Sequence, residues 1–268
     1  MIPLKQQAIG IFDSGMGGLT VAHAVAACLP HENIIYFGDT AHLPYGDKSA
    51  ETIQGYVRTI VDVLLAKNCK LILIACNSAT AAAYDYLQDY LQGRAHLMGV
   101  IDPVVDHVVL HHAKQTIGLI GTRQTVNSKV FEQKLQAKMP GFPLAALATP
   151  LLVPVIEEGF HANHSLVDAA LQAYLHEPLL DNIDVLILGC THYPIIKSRI
   201  QAHYGECVTL IDAGVVTADA VQQRLTHLDL LNPQQGVGQY EFYVSDLTPA
   251  FSQQAEDFFR SSMKLIKI

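Results

Sequence analysis

At 268 residues, half of them apolar, the chain is long enough for one large α/β domain or for two smaller ones with a site between them. Only 16% of the residues are charged and the formal net charge is -8, which excludes the clustered Lys and Arg of a nucleic-acid-binding surface. Met1 to Gln7 holds one lysine and no sustained apolar run precedes Asp13, so neither a secretory signal nor a membrane span is expected, and the default compartment is the cytoplasm.

Apolar runs of strand length alternate with helical patterns, the signature of parallel sheets covered by helices. The predicted strands are Ala8–Phe12, Ile34–Phe37, Leu71–Ala75, Leu97–Ile101, Thr116–Ile120, Val185–Gly189 and Thr209–Ile211. Between the second and third, Ser49 to Asn68 reads as a helix, because Ile53, Tyr56, Val57, Ile60, Val61, Leu64 and Leu65 recur on one face. Two pairs of segments then repeat. AIGIFDSG from Ala8 is echoed by TIGLIGTR from Thr116, and LILIACNSA from Leu71 by VLILGCTHY from Val185, where a cysteine ends a buried strand both times. The interval from Ile9 to Cys76 resembles that from Ile117 to Cys190, so the repeat keeps its internal order. The expected fold class is α/β, with two pseudo-symmetric parallel-sheet domains and the active site between them. Residues 1–98 and 212–268 are assigned to the first domain and residues 99–211 to the second.

The five cysteines, Cys28, Cys69, Cys76, Cys190 and Cys207, are odd in number and lack a framework spacing, so disulfides are not expected. No CxxC or HExxH occurs, and Cys190 with His192 is too small a set for zinc, so no metal is expected either. Cys76 and Cys190 each stand between a strand and a helix start. Ligands of parallel sheets bind there, and free backbone N–H groups favour an anion. A lone strand-end cysteine is commonly packing. The polar followers Asn77–Ser78 and Thr191–His192, at the ends of buried strands, favour a ligand instead. Two thiols from related domains are suited to invert a carbon stereocentre, one removing a proton from one face and the other delivering a proton to the opposite face. Asp13 and His192 are candidates to tune them.

The opening loop offers Asp13 and Ser14, then Gly15, Gly17 and Gly18, a pattern that admits an anion at a helix N-terminus. A dinucleotide fingerprint with Asp39 as the ribose acid is the competing reading. Thr20 occupies the place of its last glycine and Asp13 would repel a pyrophosphate, so a small zwitterion fits better. YFGDTAHLPYGDKS contributes Tyr45 and Gly46 from a loop of functional length. GTRQTVNS contributes Thr122, loosely equivalent to Ser14, and Thr125, which reads equally as a helix cap. Glu157 and Glu158 read on their own as an exposed helix face.

Taken in order, FDSGMGGLT, YFGDTAHLPYG, ACNSATA, GTRQTVNS, VPVIEEG and LGCTHYP resemble the cofactor-independent glutamate racemases of the aspartate/glutamate racemase superfamily over nearly the whole chain. The resemblance implies interconversion of L- and D-glutamate without a cofactor, supplying D-glutamate for bacterial peptidoglycan, and a homodimer as the assembly. It places the acid–base pair at Cys76 and Cys190, with Asp13, His192 and Glu157 as helpers. Substrate contacts fall at Asp13–Ser14, Tyr45–Gly46, Asn77–Ser78 and Thr191–His192, to which the position of Thr122 after the mirrored strand adds a further candidate. Ser78 stands where Thr is commoner, a change that keeps the hydroxyl, and Thr149 stands where many members have Cys. The alternatives are a racemase or isomerase of the same superfamily acting on another acidic substrate such as aspartate, a nicotinamide-binding protein, and a non-catalytic regulator on the same fold. Pyridoxal phosphate would require a Schiff-base lysine, and the motifs contain none.

Overall fold

The computed structural model describes residues 2–268 and resolves the apolar runs into two parallel sheets. Along the chain the strands are β1 (Ile9–Asp13), β2 (Ile34–Gly38), β3 (Leu71–Ile74), β4 (His96–Gly99), β5 (Ile117–Gly121), β6 (Leu144–Ala148), β7 (Val185–Gly189), β8 (Thr209–Asp212), β9 (Tyr240–Val244) and β10 (Leu265–Lys267). The first sheet has the order β10-β9-β2-β1-β3-β4 and the second β6-β5-β7-β8. All pairings are parallel. Within the first sheet, β2-β1-β3-β4 follows the same sequence order as β6-β5-β7-β8. The internal repeat is therefore a repeated four-strand unit, and the chain adopts the expected pseudo-symmetric α/β class.

The connecting helices are α1 (Gly18–Cys28), α2 (Ala50–Ala66), α3 (Asn77–Leu91), α4 (Ile101–His111), α5 (Arg123–Asn127), α6 (Val130–Lys138), α7 (Leu152–Glu157), α8 (His164–Leu175), α9 (Lys197–Tyr204), α10 (Ala213–His227) and α11 (Pro249–Phe259). Ser49 caps α2 by accepting from the Thr52 N–H at 3.3 Å. On that helix Ile53, Val57, Ile60, Val61 and Leu64 are buried against Phe12, Ile72 and Ile74 of the first sheet. None of the described helices is long and apolar enough to cross a membrane.

Three departures from the sequence reading have physical causes. Val100 and Ile101 do not extend β4, because Val100 takes helical angles and Ile101 opens α4, whose first turn tolerates Pro103. β6, with the sequence LAALA, lacks β-branched residues and lies half-buried at a sheet edge, so neither composition nor alternation marks it. β9 and β10 lengthen the first sheet alone and lie outside the repeat. Gly99 ends β4 of the first sheet and Asp212 ends β8 of the second.

Both faces of β1, β3, β5 and β7 are buried, as helices on each side of a parallel sheet require. One core lies under α2 and α3. The other is continuous from β1 through α1, α10 and α4 into the second sheet, with Ile11, Val25, Val221, Val104, Leu119 and Ile187 among its members. This shared core holds the two four-strand units against each other and fixes what lies between their carboxyl ends.

Candidate active site

The loops after β1, β3, β5 and β7 converge on one cleft. Its walls include Ser14, Tyr45 and Gly46 from the first unit, Cys76, Asn77 and Ser78 after β3, Thr122 after β5, and Cys190, Thr191 and His192 after β7. The two cysteines that end equivalent strands of the repeat thus open into one cavity, each only 6% exposed. Cys76 is the cap of α3, where its sulfur accepts the Ala79 N–H at 3.4 Å. Cys190 lies with its sulfur 3.6 Å from Nδ1 of His192. Among the described residues no set of three or more His, Cys, Asp or Glu is grouped to hold a metal, and all five cysteines are unpaired.

The two thiols sit in unlike fields. Burial pushes the Cys76 thiol up to about 12, and the Asp13 carboxylate adds to the effect, so the neutral S–H is favoured there. It donates to Ser14 Oγ at 3.7 Å, and Ser14 in turn donates to Asp13 Oδ1 at 3.2 Å. Burial also raises the Asp13 carboxyl, opposed by the charge of His192 and by hydrogen bonds from the Gly15 N–H, Ser14 and Thr191. Beside Cys190, burial pulls the His192 imidazole down. The hydrogen bonds and charges of Cys190 and Glu157 outweigh it and hold the ring well above its ordinary value. His192 Nε2 lies 2.9 Å from Glu157 Oε1, whereas Glu158 is exposed at the end of α7. Of the two adjacent glutamates, the structure brings Glu157 to the histidine.

Other predicted residues take positions that the sequence does not reveal. Asp13 is fully buried and stands behind the cleft wall, its oxygens occupied by Ser14, the Gly15 N–H and, at 3.2 Å, the Thr191 hydroxyl. It therefore supports the residues of the wall without forming part of the wall. Tyr45 lines the cleft, but its hydroxyl donates to Asp39. Asp39 itself accepts from His42 and Ser245 as well, and its side chain is 3% exposed. This removes Asp39 from the nucleotide reading: it anchors the Tyr45 loop and has no exposed face to offer a ribose. Ser78 Oγ lies 2.8 Å from Thr122 Oγ1, joining the two units across the cleft. Thr125 caps nothing with its own side chain. Its N–H is the one capped by Thr122, and its buried hydroxyl completes the cluster with Ser78 and Thr122.

Close approach of the two units explains two glycines. A Cβ on Gly17 would stand 2.3 Å from Thr191 Oγ1 and 2.5 Å from the His192 ring, and one on Gly46 would stand 2.9 Å from Thr122 Cβ. Thr20, where a dinucleotide loop has its last glycine, donates to the Thr191 carbonyl at 2.9 Å and so ties the opening loop to the second cysteine motif. Arg123 and Asp47, which the sequence reading passed over, also line the cleft and pair at 3.0 Å on its exposed rim. Their signal was adjacency alone, one residue beyond Thr122 and Gly46.

The sequence profile of Asp/Glu/hydantoin racemases matches residues 19–221. The chain is a member of this racemase family. A glutamate racemase from Syntrophus aciditrophicus is 40% identical over 255 residues, which make up 95% of this chain and 93% of that protein. The crystal structure of glutamate racemase from Francisella tularensis in complex with D-glutamate superposes with a TM-score of 0.90 at 36% identity, covering 98% of each chain. A glutamate racemase isoform from Bacillus anthracis gives a TM-score of 0.93 at 32% identity, again over 98% of each. Membership makes the chain a racemase on the two-unit fold described above, and the shared cleft lies at the carboxyl ends of the strands, where parallel sheets bind ligands.

Proposed function

We propose that this racemase interconverts L- and D-glutamate by proton transfer between the α-carbon and two cysteines, supplying D-glutamate for peptidoglycan from the cytoplasm as a homodimer. The substrate rests on relatives named as glutamate racemases along nearly their whole length. The chemistry rests on one observation, that Cys76 and Cys190 end equivalent strands and line one cleft. The division into two domains follows the two sheets.

In one direction Cys190, as a thiolate beside the protonated His192, takes the α-proton. The electron pair of the broken C–H bond spreads into the substrate carboxylate. Cys76 then gives its S–H proton to the opposite face of the carbon, leaving Cys76 as thiolate and Cys190 as thiol. The other enantiomer is processed by the reverse sequence. The α-proton is a very weak acid, so fixed donors around the carboxylate and exclusion of water must supply much of the driving force. Glu157 holds the His192 imidazolium, while Ser14 and Asp13 lie behind Cys76.

The expected result of incubating the protein with L-glutamate in deuterated water, without added cofactor, is decay of optical rotation and deuterium at the α-carbon of the D-glutamate formed. Aspartate run in parallel tests the substrate. Racemisation of aspartate but not glutamate overturns the assignment, and inertness towards both overturns the activity.

Asn77 is the candidate anchor for the substrate's polar groups. Its side-chain nitrogen and oxygen are both buried in the cleft wall without a protein partner. A buried amide in that condition costs roughly 1–3 kcal/mol unless a ligand satisfies it. Asn77→Ala is therefore expected to raise the KM for glutamate by roughly tenfold or more, with the melting temperature little changed. An unaltered KM would show that the amide does not face the substrate.

A further inference from the structure

The His192 side chain is 4% exposed and its ring is gripped at both nitrogens, Nδ1 by Cys190 at 3.6 Å and Nε2 by Glu157 at 2.9 Å. Two contacts on opposite sides of a ring fix a line through it and leave tilt about that line free. The tilt needs a third contact off the line. Gly17 closes one edge, since even a Cβ there would meet Cε1 and Nδ1 at 2.5 Å. The remaining aromatic contact is Phe258 of α11, whose ring stands edge-to-face with His192, centroids 5.7 Å apart and planes at 81°. Phe258 is 1% exposed. The next residue, Phe259, fastens α11 to the first sheet and α1 through edge-to-face contacts with His23, Tyr240 and Phe242. The C-terminal helix is thus braced on the first unit and presses one ring onto a histidine of the second. The mechanism above does not use it, and nothing in the sequence motifs points to it.

We propose that Phe258 is a positioning residue, which holds the His192 imidazole at the tilt that serves proton transfer at Cys190 and has no part in transfer at Cys76. This rests on the two-cysteine reading. Enantiomers have equal free energy, so kcat/KM for racemisation must be the same in both directions and cannot report a one-sided defect. Exchange of the α-proton of each enantiomer with solvent, before inversion, can.

The test measures deuterium entry into unreacted L- and D-glutamate for the wild type, for F258L, which keeps apolar bulk without a ring, and for F258Y, which keeps the ring. C76S and C190S assign each enantiomer to its sulfur. An edge-to-face pair supports about a tenfold effect at most, so F258L should slow exchange of the enantiomer served by Cys190 by roughly three- to tenfold and leave the other near the wild-type rate. F258Y should restore it. Equal slowing of both enantiomers, or none, overturns the proposal by reducing Phe258 to ordinary core packing. Where the wild type inverts faster than it exchanges, F258L is read in the C76S and C190S backgrounds and must slow exchange in C76S, which keeps Cys190, but not in C190S. If neither background exchanges and the wild type forms no deuterated product, the racemase reading fails first and this inference with it.

Discussion

Cys76→Ala and Cys190→Ala are each expected to abolish racemisation in both directions, a fall of at least about 10²–10⁴-fold in kcat/KM, with the far-ultraviolet circular dichroism unchanged. In the proposed mechanism one thiol removes the proton and the other replaces it, so either loss breaks the cycle whichever enantiomer is supplied. The two variants should still differ from each other. Each retains one sulfur and should go on exchanging the α-proton of one enantiomer, the opposite one in each variant. The resting protein is asymmetric as well: the Cys76 S–H is stabilised by burial and by Asp13, while Cys190 sits beside the raised His192. Racemisation at the wild-type rate by either single variant would end the two-base account.

Lys70→Ala is expected to destabilise the fold by about 3–5 kcal/mol, the cost of leaving a buried charge without its partner. Lys70 lies just before β3 with its side chain wholly buried, and its Nζ donates to Glu32 Oε2 at 2.5 Å, to the Lys5 carbonyl at 2.7 Å and to the Leu230 carbonyl at 2.9 Å. Glu32 in turn accepts the Asn232 N–H at 2.7 Å. One ammonium therefore ties the N-terminal segment, the start of β3 and the link between α10 and β9. Removing it orphans a carboxylate and two carbonyls together. For a chain of this size the loss corresponds to a fall in melting temperature on the order of 10 °C. The paired variant Lys70→Met with Glu32→Gln removes both charges and should recover most of the loss, because the orphaned ion is gone. A urea midpoint for Lys70→Ala equal to that of the wild type would show that the ion pair contributes nothing.

Neither Lys70 nor Phe258 stands out in the sequence. A lysine before an apolar run looks like an exposed strand end, and a phenylalanine near the end of an amphipathic helix looks like one more core residue. Glu157 and Glu158 are likewise alike in VPVIEEG by residue type; only the family resemblance pointed to Glu157, and the fold sets it beside His192. Asp39 supplied only a competing reading: an acid after the second strand matches a ribose-binding position, and the folded loop shows its oxygens committed to Tyr45, His42 and Ser245. The alanine-rich β6 was silent because its strand character comes from pairing with β5, not from its own residues.

What the sequence determined by itself was the repeat: two buried strands ending in cysteine, each followed by short polar residues at a helix start, and the alternation that makes parallel sheets. These are local patterns whose period and capping chemistry are written in consecutive residues. Only the tertiary structure decided that the two cysteines share a cleft, that Asp13 lies behind its wall, and which side chains hold His192. Those contacts join residues far apart in the chain, such as Asp13 with Thr191 and Glu157 with His192, and they exist because a common core through α1, α10 and α4 locks the two units in one arrangement. Packing across an interface depends on the shapes of both sides at once, and no stretch of one sequence carries that information.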